Sequence, residues 1–248
     1  MDHDDRQIGR LLTRREALTA LGATGALLLL RCSSGGSAAA DDGEDDDLPL
    51  GCVVRPQQTE GPYFVDELLN RSDIRSDPAT GAARPGTPLE LTFNVTRVAG
   101  AACVPLAGVV VDVWHCDHLG VYSDVEDPGF NTVGQKFLRG YQVTDDDGVA
   151  RFTTVFPGWY QGRTVHIHFK LRSEPEADPG FEFTSQLYFD DAFTDRIHAR
   201  EPYSDKGQRS VRNAGDGIYA RGGSQLTVPV TEEDDGLAAA FDIALQIA

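Results

Sequence analysis

The 248-residue chain carries 39 acidic against 22 basic side chains, a net charge of −17. That acidity argues against nucleic acid and anionic membranes as partners, because their phosphates would be repelled. No apolar run is long enough to span a bilayer, and the length suits one domain of about two hundred residues behind a leader.

The leader is read from residues 1–40. Thr13-Arg14-Arg15-Glu16-Ala17-Leu18 is a twin-arginine pattern, an apolar stretch runs from Ala17 to Leu30, and Ala38-Ala39-Ala40 offers a small-residue cleavage site. This order predicts a signal peptide and export of the folded protein to the periplasm or the exterior; a frayed amphipathic helix is the plainer alternative. Cys32 follows Leu29-Leu30-Arg31, and Arg31 fills a position that a lipid-anchoring motif reserves for a small residue. Residues 41–50 form an acidic linker and residues 51–248 the domain. Removing residues 1–40 takes away four acidic and five basic side chains, so the mature charge is −18. In the exported domain a Cys52–Cys103 disulfide is reasonable, both residues lying in turn-rich segments, and Cys116 is read as a buried small hydrophobe.

The domain reads as strands. Leu89, Leu91, Phe93 and Val95 alternate with polar residues, and Val109, Val111 and Val113 mark a second strand. Phe137 to Val143 and Val149 to Val155 flank Thr144-Asp145-Asp146-Asp147-Gly148, which predicts a hairpin. Val165, Ile167, Phe169 and Leu171 form another apolar face; Leu187 and Phe189, then Leu226, Val228 and Val230, then Phe241 to Ile247 complete the set. One short helix is predicted over residues 191–199. Many short strands and little helix predict an all-β sandwich of prealbumin-like or immunoglobulin-like core with long loops.

Opposite the apolar face of the 165–171 strand lie His166, His168 and Lys170. Side chains two apart on a strand share a side, roughly 6.6–6.8 Å apart at the backbone, and two imidazoles so placed can converge on one metal. A solvated polar face is the competing reading. Tyr160 follows Pro157-Gly158-Trp159, and Tyr122 follows Gly120-Val121; both are placed at strand ends. Two phenolates with two imidazoles suit a hard trivalent ion.

Thr59-Glu60-Gly61-Pro62-Tyr63-Phe64, Val113 to Asp117 with Gly120 to Ser123, Phe137 to Gly140, Thr144-Asp145 with Gly148, Pro157 to Tyr160, Arg163 with His166-Ile167-His168, and Gln186 to Phe189 resemble the intradiol ring-cleavage dioxygenases, in family order. The resemblance implies Fe(III) held by Tyr122, Tyr160, His166 and His168, with a small aromatic diol and dioxygen as reactants. Tyr160 and His168 would be axial, Tyr122 and His166 equatorial. It implies that Tyr160 serves as internal base, Arg163 stabilises carbanion character on the ring, and Gln186 supports the site. Gly61, Pro62 and Tyr63 match a segment that borders the substrate pocket, a plain turn being the alternative. Ferric iron, two tyrosinates, a hydroxide and two neutral imidazoles sum to zero charge; a catechol dianion replacing the hydroxide and one tyrosinate keeps that sum. Only five residues separate Tyr160 from His166, so the loop is shorter than in better-known members, and the chain looks closer to the exported single-domain branch.

Two rivals are weighed. A cupin-type ferrous oxygenase would use His166, His168 and a carboxylate such as Glu174. A non-catalytic prealbumin-like binding module would need none of the four candidate ligands. His115-Cys116-Asp117-His118 is read as structural, its residues alternating across a strand; His198 is read as a helix-surface residue, and Glu60, Asp112 and Asp124 as solvated or turn carboxylates. The oligomeric state and the preferred catechol are left open.

Overall fold

The computed structural model describes residues 52–174 and 180–247; the leader and acidic linker assigned above lie outside them. Eleven strands and one α-helix are described: β1 (Pro88–Ala99), β2 (Ala102–Pro105), β3 (Val110–Trp114), β4 (Glu126–Asp127), β5 (Phe130–Asn131), β6 (Arg139–Val143), β7 (Val149–Val155), β8 (His166–Arg172), β9 (Glu182–Tyr188), α1 (Asp191–His198), β10 (Val230–Glu233) and β11 (Gly236–Leu245). No described helix is long and apolar enough to cross a membrane.

Two sheets carry the architecture. In the first, the long β1 takes β11 as a parallel partner along one edge, while β7 and then β2 pair antiparallel with successive stretches of it. β10 extends the sheet beyond β11. The second is antiparallel in the order β6-β3-β8-β9. Leu89, Leu91, Phe93 and Val95 of β1 are fully buried, as the period of two demands of a strand with one face on a core. Phe169 of β8 meets Phe93 and Phe241 of the first sheet, each at 5.3 Å between ring centroids, so the sheets pack face to face as a sandwich.

Several local expectations need correction. Thr144 to Gly148 is a tight turn, held by the Asp145 side chain accepting from the backbone N–H groups of Asp147 and Val149. Its flanks do not form a hairpin, because β6 pairs with β3 and β7 with β1; the turn is a crossing between sheets. Leu226 ends a 3₁₀ helix, and only from Val230 does that stretch become strand. Cys103 lies in β2 and is bonded to Cys52, with Cα atoms 5.4 Å apart. Cys116 is free and buried.

Three polar assignments also change. His198 is buried: Nε2 lies 3.0 Å from the Pro157 carbonyl, and its ring stacks on Tyr203. Asp112 is buried against Arg172, with Arg172 Nε donating at 2.8 Å; burial nevertheless pushes its carboxyl up to about 6. The His115 to His118 stretch is loop rather than strand, since β3 ends at Trp114. His115 is structural for a different reason: Nδ1 faces the Cys116 carbonyl and Nε2 the Thr154 hydroxyl.

Candidate metal centre

The outer face of β8 points away from the sandwich core yet is covered. His166, His168 and Lys170 are 2%, 1% and 5% exposed, which removes the solvated-face reading. The cover is the segment before β1, stitched to β9: Gln58 N–H donates to the Thr184 carbonyl, Ser185 hydroxyl to that of Pro56, and Gln186 Nε2 to that of Thr59. Lys170 adds an ion pair with Glu60 and a cation–π contact with Phe64.

Under this cover four donor atoms converge. His166 Nε2 lies 3.1 Å from His168 Nε2, 3.2 Å from the Tyr160 hydroxyl and 3.4 Å from that of Tyr122. Bonds of about 2.0–2.1 Å to a common centre put tetrahedral ligand atoms about 3.3–3.4 Å apart, and closer at higher coordination, so the spacing fits a single ion. His166 Nδ1 is 2.6 Å from the Thr164 carbonyl; donating there, it leaves Nε2 with a free lone pair for a metal. The His168 ring lies parallel to Trp114, centroids 5.0 Å apart at 9°, and its buried Nδ1 has no hydrogen-bond partner among the described residues. On its edge sits Gly61, at φ +75°, where a Cβ would come 3.1 Å from Cε1.

Burial and the nearby Arg163 charge lower His166 to about 3; burial and the other imidazole hold His168 well below its ordinary value. Both rings are therefore neutral. Burial pushes Tyr160 up to about 12, with Arg163 opposing the rise, and also raises Tyr122 well above the ordinary phenol value. A cation at the centre inverts that preference, since a coordinated phenol gives up its proton.

The tyrosines sit on loops, not at the strand ends expected of them: Tyr122 lies well beyond the end of β3 and Tyr160 beyond the end of β7. The loops touch because Gly120 and Gly158 lack side chains. A Cβ on either would lie 2.3 Å from a backbone oxygen of the other loop, that of Trp159 or Asp117. Lys206 clamps them together, its ammonium donating to the carbonyls of Leu119 and Trp159. Despite its short loop, Tyr160 thus joins the cluster.

Arg163 and Gln186 stand beside the donors. Arg163 Nε donates to Asp216 at 2.8 Å and Nη2 to Gln186 Oε1 at 2.6 Å. Tyr63 stacks on Tyr122 at 4.5 Å, meets Tyr160 edge-on and donates its hydroxyl to Asp127 at 2.8 Å. Tyr63 and Tyr160 are half-buried whereas Tyr122 and both histidines are buried, so the cluster opens on the Tyr63–Tyr160 side. Pro62 is exposed in the turn. Sequence reasoning missed Asp216, Lys206 and Thr164. Asp216 stands 53 residues from Arg163 and reads as an ordinary Asp-Gly turn, so no local signal marked it.

The facial-triad rival is not assembled. Glu174 is exposed beyond the far end of β8, and among the described residues no three His, Cys, Asp or Glu side chains could hold a metal. The sandwich thus carries a candidate single-ion site of two tyrosines and two histidines. A family model described as "Dioxygenase" matches residues 59–246. The solved intradiol ring-cleavage dioxygenase from Tetranychus urticae is 30% identical, with a TM-score of 0.68 over 79% of this chain and 95% of that one. The dioxygenase domain of a carbohydrate-binding fusion protein from Streptomyces sp. SirexAA-E is 28% identical, with a TM-score of 0.53 over 79% of this chain and 99% of that one. Chlorocatechol 1,2-dioxygenase of Pseudomonas putida is 35% identical over 150 residues, 53% of this chain and 52% of that protein. The chain belongs to the intradiol ring-cleavage dioxygenase family. It spans about half the length of the curated relatives it matches.

Proposed function

We propose that the protein is an Fe(III) dioxygenase that cleaves catechol-type rings between their two hydroxylated carbons, giving muconate-type diacids. The observation that carries this is the gathering of Tyr122, Tyr160 and His168 donor atoms at 3.1–3.4 Å around His166 Nε2, a set that as two phenolates and two neutral imidazoles suits a hard trivalent ion. The names of the catechol and chlorocatechol 1,2-dioxygenases among its relatives support an aromatic diol as substrate. A ferric ion held there would supply electron withdrawal from the diol substrate, opening its ring carbons to dioxygen.

The chain's own residues do the rest. Tyr160, on the open side, takes a proton from the incoming diol at Oη. Arg163, fixed by Asp216 and Gln186, places a cation where negative charge develops on the ring. Tyr63 and Gly61 wall the approach, Gly61 leaving room against His168. The stacked Trp114 keeps the His168 ring from turning.

The test is metal analysis of the purified full chain together with product identification from catechol. One iron per chain and cis,cis-muconate are expected; zinc or no metal in an active preparation would sink the reading. We also propose export by the twin-arginine route, supported by Arg14-Arg15 and the apolar stretch after them. Changing both arginines to lysine should retain the protein in the cytoplasm, and undiminished export would count against it.

A further inference from the structure

Asp216 is 2% exposed, and both its oxygens are saturated. Oδ2 accepts from Arg163 Nε and from the Thr164 backbone N–H, each at 2.8 Å; Oδ1 accepts from the backbone N–H groups of Ile218 at 2.7 Å and Tyr219 at 3.0 Å. Four donors leave the carboxylate one orientation, and a buried charge so paired is expensive to disturb.

Two branches leave it. In one, Arg163 is carried on to Gln186 and lies close enough to Tyr160 for its charge to act on the phenol. In the other, Thr164 is gripped three ways: its N–H by Asp216, its hydroxyl donating to Asn213 Oδ1 at 2.7 Å, and its carbonyl accepting from His166 Nδ1 at 2.6 Å. Asn213 is itself anchored, donating to the Phe189 carbonyl at 2.8 Å.

We infer that Asp216 is a positioning residue for the reaction: by fixing Thr164 and the Arg163 guanidinium together, it sets the tautomer of His166 and the place of the cation beside Tyr160. It contacts none of the four donor atoms and acts through these two neighbours. The inference rests on reading the four-donor cluster as an iron site.

The test compares the full chain with Asp216→Asn, Arg163→Gln and the double variant. Asn keeps the shape but removes the charge and replaces one acceptor oxygen with a donor, facing either Arg163 Nε and Thr164 N–H or the N–H groups of Ile218 and Tyr219. Asp216→Asn should retain iron, lower kcat for catechol about 10- to 100-fold, leave KM within about threefold and shift the visible phenolate band. In the Arg163→Gln background its kcat cost should shrink by at least about threefold, because part of the path is already cut. In iron-free protein, ring ¹⁵N shifts should report one His166 tautomer in the wild type and a mixture in Asp216→Asn. Wild-type kcat with unchanged ring shifts would overturn the inference, as would an equal kcat cost in both backgrounds. Should Asp216→Asn not fold, Asp216→Ser, which lets water reach the same donors, takes its place. If the wild-type chain takes up no iron, the iron reading falls, while the iron-free ring shifts still decide the role of Asp216.

Discussion

The two faces of β8 are equally buried and differ in what they bury. Inward, Ile167, Phe169 and Leu171 are fully buried against the first sheet. Outward, His166, His168 and Lys170 are just as dry, under the segment that carries Glu60, Gly61 and Tyr63. The inner face is held by apolar area, which is non-directional and tolerant of detail. The outer face is held by directional contacts: Lys170 pairs with Glu60 and Glu182, His166 Nδ1 meets the Thr164 carbonyl, and His168 stacks on Trp114. The inner face therefore sets the fold, whereas the outer face is a buried polar assembly that carries the candidate site.

The sharpest way to break that contrast is at the tyrosines. Tyr160→Phe should keep some iron, shift the visible band and lower kcat about 10²–10⁴-fold, the usual worth of a general base; steady-state kinetics and the spectrum check it. Tyr122→Phe should instead weaken iron retention. On the inner face, Phe169→Ala should cost about 3–5 kcal/mol of stability, read by urea unfolding, while protein that remains folded keeps its iron stoichiometry. An inner-face change that removed iron without loss of stability would erase the distinction.

A third test separates burial from ligation. His115 is buried and neutral, its imidazole lowered to about 4 by desolvation from its ordinary value of 6.5. The folded value is depressed, so the unfolded chain binds the proton more readily. The stabilising contribution is complete above about pH 6.5 and is lost as pH falls towards 4, a loss on the order of 3 kcal/mol. Urea unfolding of His115→Gln across that range should show a correspondingly flatter acid limb than the wild type. The smallest effect is expected at Lys206. Lys206→Met removes the clamp between the Leu119 and Trp159 carbonyls, and kcat should fall only a few-fold, with a small shift of the phenolate band; unchanged kcat and band would deny the clamp a role.

How much was legible follows from the same contrast. The alternation in β1 and β8 reads directly as a sandwich because burial on one face imposes a period of two. His166 and His168 are visible as a pair for that reason, and Tyr122, Tyr160, Arg163 and Gln186 through the resemblance. The supposed hairpin at Thr144 to Gly148 failed because turn chemistry does not say which sheet each flank joins. His198 and Asp112 were misread as solvated because their cover comes from distant segments, Pro157 and Arg172 respectively. Asp216 and Lys206 were invisible for the same reason: each acts across a long sequence gap through single polar contacts that no local period marks.

The proposed function requires that the outer face of β8, with the two loop tyrosines, hold ferric iron that catechols reach. The most direct measurement is the visible spectrum of the purified full chain before and after adding catechol under anaerobic conditions. A red-brown protein is expected, with a tyrosinate-to-iron band that changes when catechol binds. A colourless protein that still turns over catechol, or a colour that catechol leaves unaltered, would contradict it.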